Sequence, residues 1–599
     1  MILNIILDFL GILLFILPGL LLCFFLFPKI NIIQRIAFTI IFSLSMIKIL
    51  KVLLYFLNIN YFISTLLSYS ALIFLLIFLL IRSKNKKFKT NFSKDIFYIL
   101  IMSILGGLWK LYYLKSIQNP GSGYEYAGKF ARDEIPNIGY YKGMAITHAN
   151  YMFEMPNKLL NFITLSNPQI QLFLNTFLIL IFVYLIAIQF RNKKIAYLSV
   201  ALMSLGPIEL FYLTTNLNHG MAYVGLFILF LFFKSKEKNI FWLALLFSAY
   251  LMTTYYTSTI IQILASGGFI IAIILKEFLD NKNLNQTLIN IIKNKKIKGF
   301  LIIILILSSY LFLYTSMGKT TINVSTDASI LKSSINLKII NITENTTQKN
   351  YEFNLYPGLN PYKDPKFLGL SAIRWQSVFF ILCGVSFIGY LIIKKDFSKE
   401  NLFLLYCIIP ISLISFGFLY AGYPSRIFNY FAFFGILVLK IPKKFFKKFF
   451  VISLIFIIIT TMFIAHDKKI FFENSEGEIE TAKWIKNNLN GKIFSDQKFI
   501  NLIIQEDYYN VTGDSDKSII IKKLFYINNK TSFQNTISWL NNSNVKYIAI
   551  TKRMEKKYIL MVDFPQKPLT NIQFYEKNLN KIYDNGDVRI YTTNLAIKK

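Results

Sequence analysis

Long apolar runs alternate with short polar loops along the first 465 residues of this chain of 599 residues. Many runs approach the length of about twenty residues that an α-helix needs to cross a bilayer. The pattern predicts an α-helical polytopic membrane protein. About fourteen transmembrane helices are expected, over residues 2–27, 32–57, 59–81, 96–115, 168–190, 195–213, 221–233, 240–255, 256–275, 299–316, 371–393, 402–420, 426–440 and 449–465.

The pattern changes after residue 465. GEIETAKWIKNNLN has the spacing of an amphipathic helix, and GKIFSD and NVKYIAIT have the spacing of short strands. KIYDNGDVRIYT places Asn585-Gly586 between two strand-like runs, which predicts a hairpin. This alternation predicts one small α/β domain with a core of its own. No glycine-rich phosphate loop precedes its helices, so we expect no nucleotide site there.

These patterns divide the chain into three parts. Residues 1–95 are predicted to form additional N-terminal transmembrane helices, and residues 96–465 a transmembrane core with outer loops at 116–167 and 317–370. Residues 466–599 are predicted to form an extracytoplasmic α/β domain. The N-terminal run has neither a basic start nor a small-residue cleavage site, so no cleavable signal peptide is predicted.

The charge is strongly basic and falls in clusters. The chain is 55% hydrophobic and carries 65 Lys+Arg against 31 Asp+Glu, a formal net charge of +34. Basic clusters in short loops mark the cytoplasmic side of a membrane and do not form the single patch that binds nucleic acid. Threading the chain through the spans places all of them on that side: 84–94, 191–194, 234–238, 293–298, 394–395 and 440–448. A multi-pass cell-membrane protein with an outer C-terminal domain is predicted.

A few polar or reactive residues lie inside the apolar runs. Cys23, Cys383 and Cys407 are expected to be small core residues, with neither a disulfide nor a cysteine metal site. Asp8 in the first span can pair with Lys48 or Lys51 in the second. An ion pair that clamps two helices is favoured over a proton or substrate path.

The predicted outer loop FARDEIPNIGYYKGMAITHANYMFEMP (130–156) holds adjacent acids in a basic chain. The side chains of Asp133 and Glu134 cannot both point at one atom in most backbone conformations, so one can act while the other orients it. In the alternative reading they cap a helix that begins at Pro136. The composition leaves both readings open.

A basic residue follows a predicted helix start on the same outer side. Arg426 comes after GYPS, in which Ser425 suits an N-cap position. Backbone N–H groups at a helix start together with a guanidinium suit a phosphate, and an arginine that snorkels to the interface is the alternative. His148, His219 and His466 also fall on this side, without the spacing of metal ligands on a helix. We predict no cofactor and leave a divalent metal open.

The order and sidedness of these elements resemble the GT-C glycosyltransferase superfamily. RDEIPNIGYYKGMA (132–145) looks like the acidic element of its first outer loop. SLGPIELFYLTTNLNHGMAYVG (204–225) is similar to its second outer loop, with Asn218-His219 where many members have another acid. YPSRIFNYFAF (423–433) looks like its late helix start. The resemblance covers roughly residues 96–599.

The resemblance implies a membrane enzyme that moves a sugar from a polyprenyl-phosphate carrier to an acceptor hydroxyl at the outer face. It makes Asp133 the catalytic base with Glu134 beside it, and implies substrate-binding roles for Arg426, Tyr423, His219, His148 and Glu209. The implied partners are a polyprenyl-phosphate-linked sugar, membrane lipid and a glycan or protein acceptor. The motif WWDYG of oligosaccharyltransferases is absent, which argues against transfer of a whole glycan to asparagine. Asn218-His219 leaves a two-acid or metal-dependent mechanism open.

Two other functions stay open. A transporter or flippase of lipid-linked sugars would have paired halves and broken, charged helices near the middle of the bilayer. The charged candidate residues Asp133, Glu134 and Arg426 are predicted at the outer face instead. A non-catalytic membrane protein of surface-glycan assembly would use the C-terminal domain as a binding module.

Overall fold

The structure, a computed structural model, describes residues 16–56, 70–71, 74–75, 77–78, 81–82, 89–91, 93–114, 168–206, 217–235, 238–251, 256–281, 284–317, 368–408, 428–439, 444–472, 474–506, 508, 510–512, 524–525, 530–542, 544–557, 559–561, 564–566, 568–569 and 571–595. The chain divides into a helical unit that ends at Ala465 and a second unit that holds the residues from His466 onward. Each unit is considered by itself.

The helical unit is built from long apolar helices and one short pair of strands. Strands β1 (Lys29–Asn31) and β2 (Lys89–Asn91) pair in parallel. The helices are α1 (16–26), α2 (Ile32–Phe56), α3 (Asp95–Leu114), α4 (Pro168–Phe190), α5 (Lys193–Leu205), α6 (Leu217–Lys234), α7 (Lys238–Leu251), α8 (Tyr256–Asp280), α9 (Leu284–Lys293), α10 (Lys295–Met317), α11 (Leu368–Lys394), α12 (399–408), α13 (Phe428–Leu437) and α14 (Phe446–Phe472).

Most of these helices coincide with the predicted spans. α3, α4 and α10 begin and end within four residues of the prediction, because each comes from an uninterrupted apolar run. Within the described residues, Ile261–Asp280 and Phe446–Phe463 are long and apolar enough to cross a membrane. The count of fourteen spans stays a prediction. Helix α9 was not predicted, because its run is short and mixed in polarity.

The helical unit buries many apolar side chains together with small polar ones, and it exposes many other large apolar side chains. Helix α3 illustrates the exposed side, where large apolar residues recur at helical spacing: Phe97, Leu100, Ile101, Ile104, Leu105 and Leu108. Hydroxyl side chains are buried between helices instead, among them Ser103, Ser199 and Ser204. Lipid is as apolar as leucine, so helices in a bilayer pack through small and hydrogen-bonding residues. The distribution is the one that a hydrocarbon solvent favours.

Glycines allow the closest of these helix contacts. A Cβ at Gly106 in α3 would meet Ser204 Oγ and lie 2.7 Å from the Ser204 carbonyl oxygen. The same serine hydroxyl donates a hydrogen bond to the carbonyl oxygen of Met102. Gly225 of α6 faces the Gln262 side chain of α8 in the same way. These helices pack backbone against side chain with no room for a methyl group.

The second unit forms a mixed sheet between two layers of helices. Its elements are α15 (Glu476–Asn488), β3 (Lys492–Phe494), α16 (Gln497–Gln505), β4 (Val511–Thr512), α17 (Lys530–Asn542), β5 (Val545–Thr551), α18 (Lys552–Lys556), β6 (Ile559–Met561), β7 (Phe564–Gln566), α19 (Ile572–Asn578), β8 (Leu579–Asp584) and β9 (Val588–Leu595). The main sheet has the order β4-β3-β5-β9-β8, and β6 pairs with β7 separately.

Strand alternation divides the core of this unit into two faces. On β5, Ile548 and Ile550 lie in one cluster with Phe533 and Tyr575 from the helices α17 and α19. Ala549 lies in the other cluster, which includes residues of α15 and α16. Successive strand residues point to opposite faces, so a single strand contributes to both clusters. The strands predicted in GKIFSD and NVKYIAIT are confirmed at 492–494 and 545–551, and the helix predicted in GEIETAKWIKNNLN is confirmed at 476–488.

The predicted hairpin at Asn585-Gly586 is also confirmed, with β8 antiparallel to β9. Gly586 has φ +83°, a conformation that glycine adopts without strain. The Asn585 side chain accepts hydrogen bonds from the N–H groups of Asp587 and Val588 at 3.1 and 2.9 Å. Its amide group donates to the carbonyl oxygen of Gly477 at 2.9 Å. The turn is therefore attached to α15 as well as to its own strands.

A buried ion cluster joins three elements of the second unit. Arg553 of α18 donates two hydrogen bonds to the Asp496 carboxylate, at 2.7 and 3.0 Å. Its Nε lies 3.4 Å from a carboxylate oxygen of Glu478 in α15. The Asp496 side chain is fully buried and the Arg553 side chain is 8% exposed. Removal of one partner would leave a buried charge without its counterion, which is costly.

We expect Gly106→Ala to destabilise the helical unit by about 1–3 kcal/mol, because the new methyl group overlaps the Ser204 backbone. The matched control is Gly389→Ala in α11, where a Cβ would meet no atom within 4 Å. Thermal unfolding of the purified chain in detergent measures both. Equal midpoints for the two variants would contradict this packing.

We expect Arg553→Ala to destabilise the second unit by about 3–5 kcal/mol, because the buried Asp496 carboxylate would lose both hydrogen bonds from the guanidinium. Lys581→Ala is the control, since Lys581 pairs with Asp584 at the surface and should contribute little. Pulse proteolysis of the full chain across a urea series gives the free energy of unfolding. A loss for Arg553→Ala no larger than for the control would disprove the burial argument.

Candidate functional site

Most of the residues predicted from the sequence to form the site lie outside the described residues. These are Asp133, Glu134, His148, Glu209, Tyr423 and Arg426. Only the backbone of His219 is described, as the third residue of α6. Asp8 and the side chains of Lys48 and Lys51 also fall outside the description. The described helix ends on either side of these segments therefore carry the structural argument.

A buried aspartate joins three helices at one end of the helical unit. Asp95, the first residue of α3, accepts hydrogen bonds from the hydroxyls of Tyr184 at 2.6 Å, Tyr197 and Ser93. The Lys193 ammonium group lies 2.6 Å from the same carboxylate. The start of α3, the last turns of α4 and the start of α5 therefore lie together.

An arginine extends this set of helix ends. Arg191 follows α4, and its Nε donates to the carbonyl oxygen of Leu437 at the end of α13, at 2.6 Å. Its Nη1 donates to the Asn401 side chain at 3.0 Å, and the guanidinium carbon lies 5.5 Å from the centre of the Phe387 ring. One side chain thus contacts α11, α12 and α13.

Two lysines connect the end of α6 and the start of α10 to the same group of helix ends. Lys234, the last residue of α6, donates to the carbonyl oxygen of Gln189 at 2.9 Å and lies 3.4 Å from Glu400. Lys296 at the start of α10 donates to the carbonyl oxygen of Phe233. We call the end of the helical unit that holds Asp95, Arg191, Lys234 and Lys296 the basic end.

The direction of each helix then shows which of its two ends lies away from the basic end. α3 begins at the basic end and has 20 residues, so Leu114 lies about 30 Å away along its axis. α4, α6 and α13 run toward the basic end, so each begins away from it. The described helix ends that lie away from the basic end therefore include those that bound the segments 115–167, 207–216 and 409–427. We call the side of the helical unit that holds these helix ends the far end.

The far end has chemical properties that follow from these directions. α6 has 18 residues and begins about 27 Å from the basic end, whereas α13 has 10 described residues that extend about 15 Å from it; the start of a helix presents unbonded N–H groups and a partial positive charge. Such ends bind anions, phosphate groups included. His219 lies in the first turn of α6. A site for a negatively charged ligand is compatible with this end of the unit.

The described residues offer no candidate metal site. Within them, no group of three or more His, Cys, Asp or Glu residues lies close enough to hold an ion. Cys23, Cys383 and Cys407 are free and buried, as the sequence predicted. The prediction that no cofactor is needed, with a divalent metal left open, stays a prediction.

In the second unit, an aspartate and an arginine pair with each other at a place where an α/β sheet often binds ligands. β4 and β5 lie on opposite sides of β3 and both run parallel to it, so the strand order reverses at β3. Ligands favour the crevice at the carboxyl ends of the strands at such a point. Here Asp496 follows β3 and Arg553 follows β5, and they bind each other. This arrangement supports a structural role for the pair.

No protein-family model and no curated protein matches the sequence. The fold is similar to solved structures of an oligosaccharyltransferase from Archaeoglobus fulgidus. Its apo form has a TM-score of 0.47 at 11% identity, over 83% of this chain and 74% of that chain. Its complex with an inhibitory peptide and a dolichol-phosphate has a TM-score of 0.45 at 10% identity, over 83% and 74%. Its complex with Zn and sulfate has a TM-score of 0.44 at 12% identity, over 82% and 73%.

TM-scores of 0.44 to 0.47 leave the activity, the substrates and the metal use of this chain as proposals.

Sequence reasoning missed the polar contacts of the basic end. Asp95 stands one residue before a predicted span, and Arg191 lies in a predicted basic cluster. An acid beside an apolar run indicates a buried partner, and that signal was present in the sequence. The identity of the partners was not, because Tyr184 and Lys193 are about 90 and 100 positions away and only the folded chain brings them together.

We expect Asp95→Asn to destabilise the helical unit by about 1.5–3 kcal/mol, because Lys193 and two tyrosine hydroxyls would lose a charged acceptor. Asp280→Asn is the control, since the exposed Asp280 pairs only with Lys276 among the contacts described. Unfolding midpoints in detergent report both. If the two variants unfold alike, Asp95 does not hold these helices together.

Proposed function

We propose that the protein is a membrane glycosyltransferase that moves a sugar from a polyprenyl-phosphate carrier to an acceptor hydroxyl at the outer membrane face. Asp133 is the general base, Glu134 its neighbour in the active site, and Arg426 the ligand of the carrier phosphate. Tyr423, His219, His148 and Glu209 contribute to the substrate site.

One structural observation supports this assignment above the others. The acidic loop lies between the end of α3 and the start of α4, and Arg426 comes just before the start of α13; these three helix ends are the ones that lie away from the basic end. Asp133 and Arg426 are nearly 300 positions apart in the sequence. The segments that hold them are bounded by helix ends that lie away from the basic end of the helical unit. Two chemically complementary groups are brought within reach of one site if their segments follow these ends.

The acid supplies the first part of the chemistry. The oxygen of an acceptor hydroxyl attacks the anomeric carbon of the sugar, and its proton must leave as the new bond forms. A carboxylate at hydrogen-bond distance accepts that proton. The bond between the anomeric carbon and the phosphate oxygen breaks in the same step, so the sugar passes from one oxygen to the other.

The arginine supplies the second part. The departing polyprenyl phosphate gains negative charge as its bond to the sugar breaks. A guanidinium beside helix N-terminal amides stabilises charge at the place where it develops. The sugar is already activated by its phosphate, so no nucleotide site is needed. This agrees with a second unit that has no glycine-rich phosphate loop.

A bilayer location is part of the proposal. Two described helices are long enough to cross a membrane, and the helical unit presents apolar side chains on its surface. The carrier lipid would lie against such helices. Placement of the second unit outside the cell follows from the one-sided basic clusters and the positive-inside rule.

We expect Asp133→Asn to reduce transfer by about 10²–10⁴-fold with little change in carrier binding, because the amide keeps the shape and cannot accept the proton. Glu134→Gln is the matched control and should be milder. Transfer is measured with a radiolabelled polyprenyl-phosphate sugar and the purified chain in lipid. A wild-type rate for Asp133→Asn would contradict the mechanism. A larger loss for Glu134→Gln than for Asp133→Asn would make Glu134 the general base and Asp133 its neighbour.

We expect Arg426→Ala to weaken carrier binding as well as rate, because the phosphate would lose its charged partner. Binding is measured with polyprenyl phosphate that carries no sugar, which separates the carrier from the acceptor. Arg426→Lys should restore part of the affinity, since it keeps the charge but not the two-pronged geometry. Unchanged carrier affinity in Arg426→Ala would remove this residue from the site.

A further inference from the structure

Helix α9, Leu284–Lys293, has three different surfaces around its axis. Thr287 is buried and Ile291 is partly buried, so this side packs on the protein. The large apolar side chains of Leu288, Ile289 and Ile292 are exposed by 45, 51 and 68%. The remaining exposed positions are polar, among them Gln286, Asn290 and Lys293.

The helical period separates the two exposed surfaces. Successive residues of an α-helix turn by about 100° around the axis. Leu288, Ile289 and Ile292 therefore share one arc of about 100°, on which Asn285 of the first turn also falls, and Gln286, Asn290 and Lys293 share the next arc. A helix with an apolar exposed arc beside a polar exposed arc fits a boundary between two solvents. In water alone, its apolar arc would have no partner among the described residues.

The position of α9 in the chain fits such a boundary. It has 10 residues, about 15 Å of helix, which is half of what a membrane crossing needs. It follows α8 and precedes α10, whose start lies at the basic end through the contact of Lys296 with Phe233. Asn294 separates α9 from α10 and accepts a hydrogen bond from the Lys296 N–H at 2.9 Å.

The charge of this segment has one sign. Lys293, Lys295 and Lys298 are exposed within six positions. The sequence has no acidic residue between Asp280 and Lys298. Lysines beside an apolar helical arc bind the negative surface of a bilayer, where the stem lies along the lipid and the ammonium reaches the phosphates.

We propose that α9 is an interfacial helix that lies in the headgroup layer of the membrane and binds anionic phospholipid. Leu288, Ile289 and Ile292 enter the acyl-chain region, and Gln286 and Asn290 face water. Lys293, Lys295 and Lys298 contact the lipid phosphates. The inference uses the membrane location given under the proposed function and none of its chemistry, so a chain inactive in sugar transfer can still show it.

The first experiment measures the depth of the two arcs. Single cysteines replace Ile292 and Asn290 in the full chain, which is spin-labelled and reconstituted in vesicles of equal parts phosphatidylcholine and phosphatidylglycerol. The three native cysteines are buried, so the unsubstituted chain gives the background. We expect oxygen to relax the label of Ile292→Cys more than a water-soluble nickel chelate does. The label of Asn290→Cys should show the reverse order.

Two other results of this experiment would overturn the proposal. Nickel accessibility at Ile292→Cys equal to that at Asn290→Cys would place the arc in water and overturn the proposal. Dipolar broadening between Ile292→Cys labels, removed by dilution with unlabelled chain, would assign the arc to a second copy and also overturn it. Leu288→Cys tests the same arc independently, should Ile292→Cys fail to fold.

The second experiment measures the lipid preference. Spin-labelled phosphatidylglycerol and phosphatidylcholine compete for the protein surface, and their ratio of association constants is compared between variants. Replacing Lys293, Lys295 and Lys298 by Gln should lower the preference for phosphatidylglycerol, by about five-fold for each lysine in full contact. The control replaces three exposed lysines of the second unit, Lys483, Lys557 and Lys577, by Gln. An equal loss in the control would attribute the preference to net charge and contradict the assignment to α9.

Discussion

The guanidinium of Arg191 is the contact on which the arrangement of the helical unit depends most. It joins the end of α4 to the end of α13 through the Leu437 carbonyl, to α12 through Asn401, and to α11 through the Phe387 ring. A charge taken out of water is tolerated only with such partners, so the helix ends that supply them are held in one place. Helices held at one end have fixed directions, and Asp95 and Lys234 hold α3 and α6 at the same end of the unit.

The two units differ in how many of their large apolar side chains are exposed. The second unit buries large aromatic residues such as Tyr575 and pairs its buried charges within the core, as in Arg553 with Asp496. The helical unit also buries large aromatic residues, such as Tyr223 and Phe227, but it leaves many large apolar side chains exposed and brings helices together at Gly106 and the serines. The difference is expected if water drives one unit to fold and hydrocarbon surrounds the other.

Local patterns predicted those parts of the fold that local forces determine. Uninterrupted apolar runs gave α3 and α4, and the Asn585-Gly586 pair gave the β8–β9 turn, since a glycine at positive φ is a local requirement. α9 escaped prediction because it has only 10 residues and polar residues interrupt its apolar positions, so it gives no apolar run of membrane-spanning length. The partners of Asp95 depend on tertiary packing, which a single sequence does not reveal. The candidate catalytic residues were proposed from residue type and order, and only the directions of the flanking helices bear on them here.

The place of β9 within the sheet has a consequence for the synthesis of the chain. β9 lies between β5 and β8, although it is the last strand of the sheet to be made. Until Val588–Leu595 emerges from the ribosome, β5 has an unpaired edge along Tyr547–Thr551. An open edge of this kind recruits other strands. The nascent second unit is therefore exposed to mispairing in the interval between the synthesis of β5 and that of β9, and a chaperone that covers the β5 edge would act in that interval.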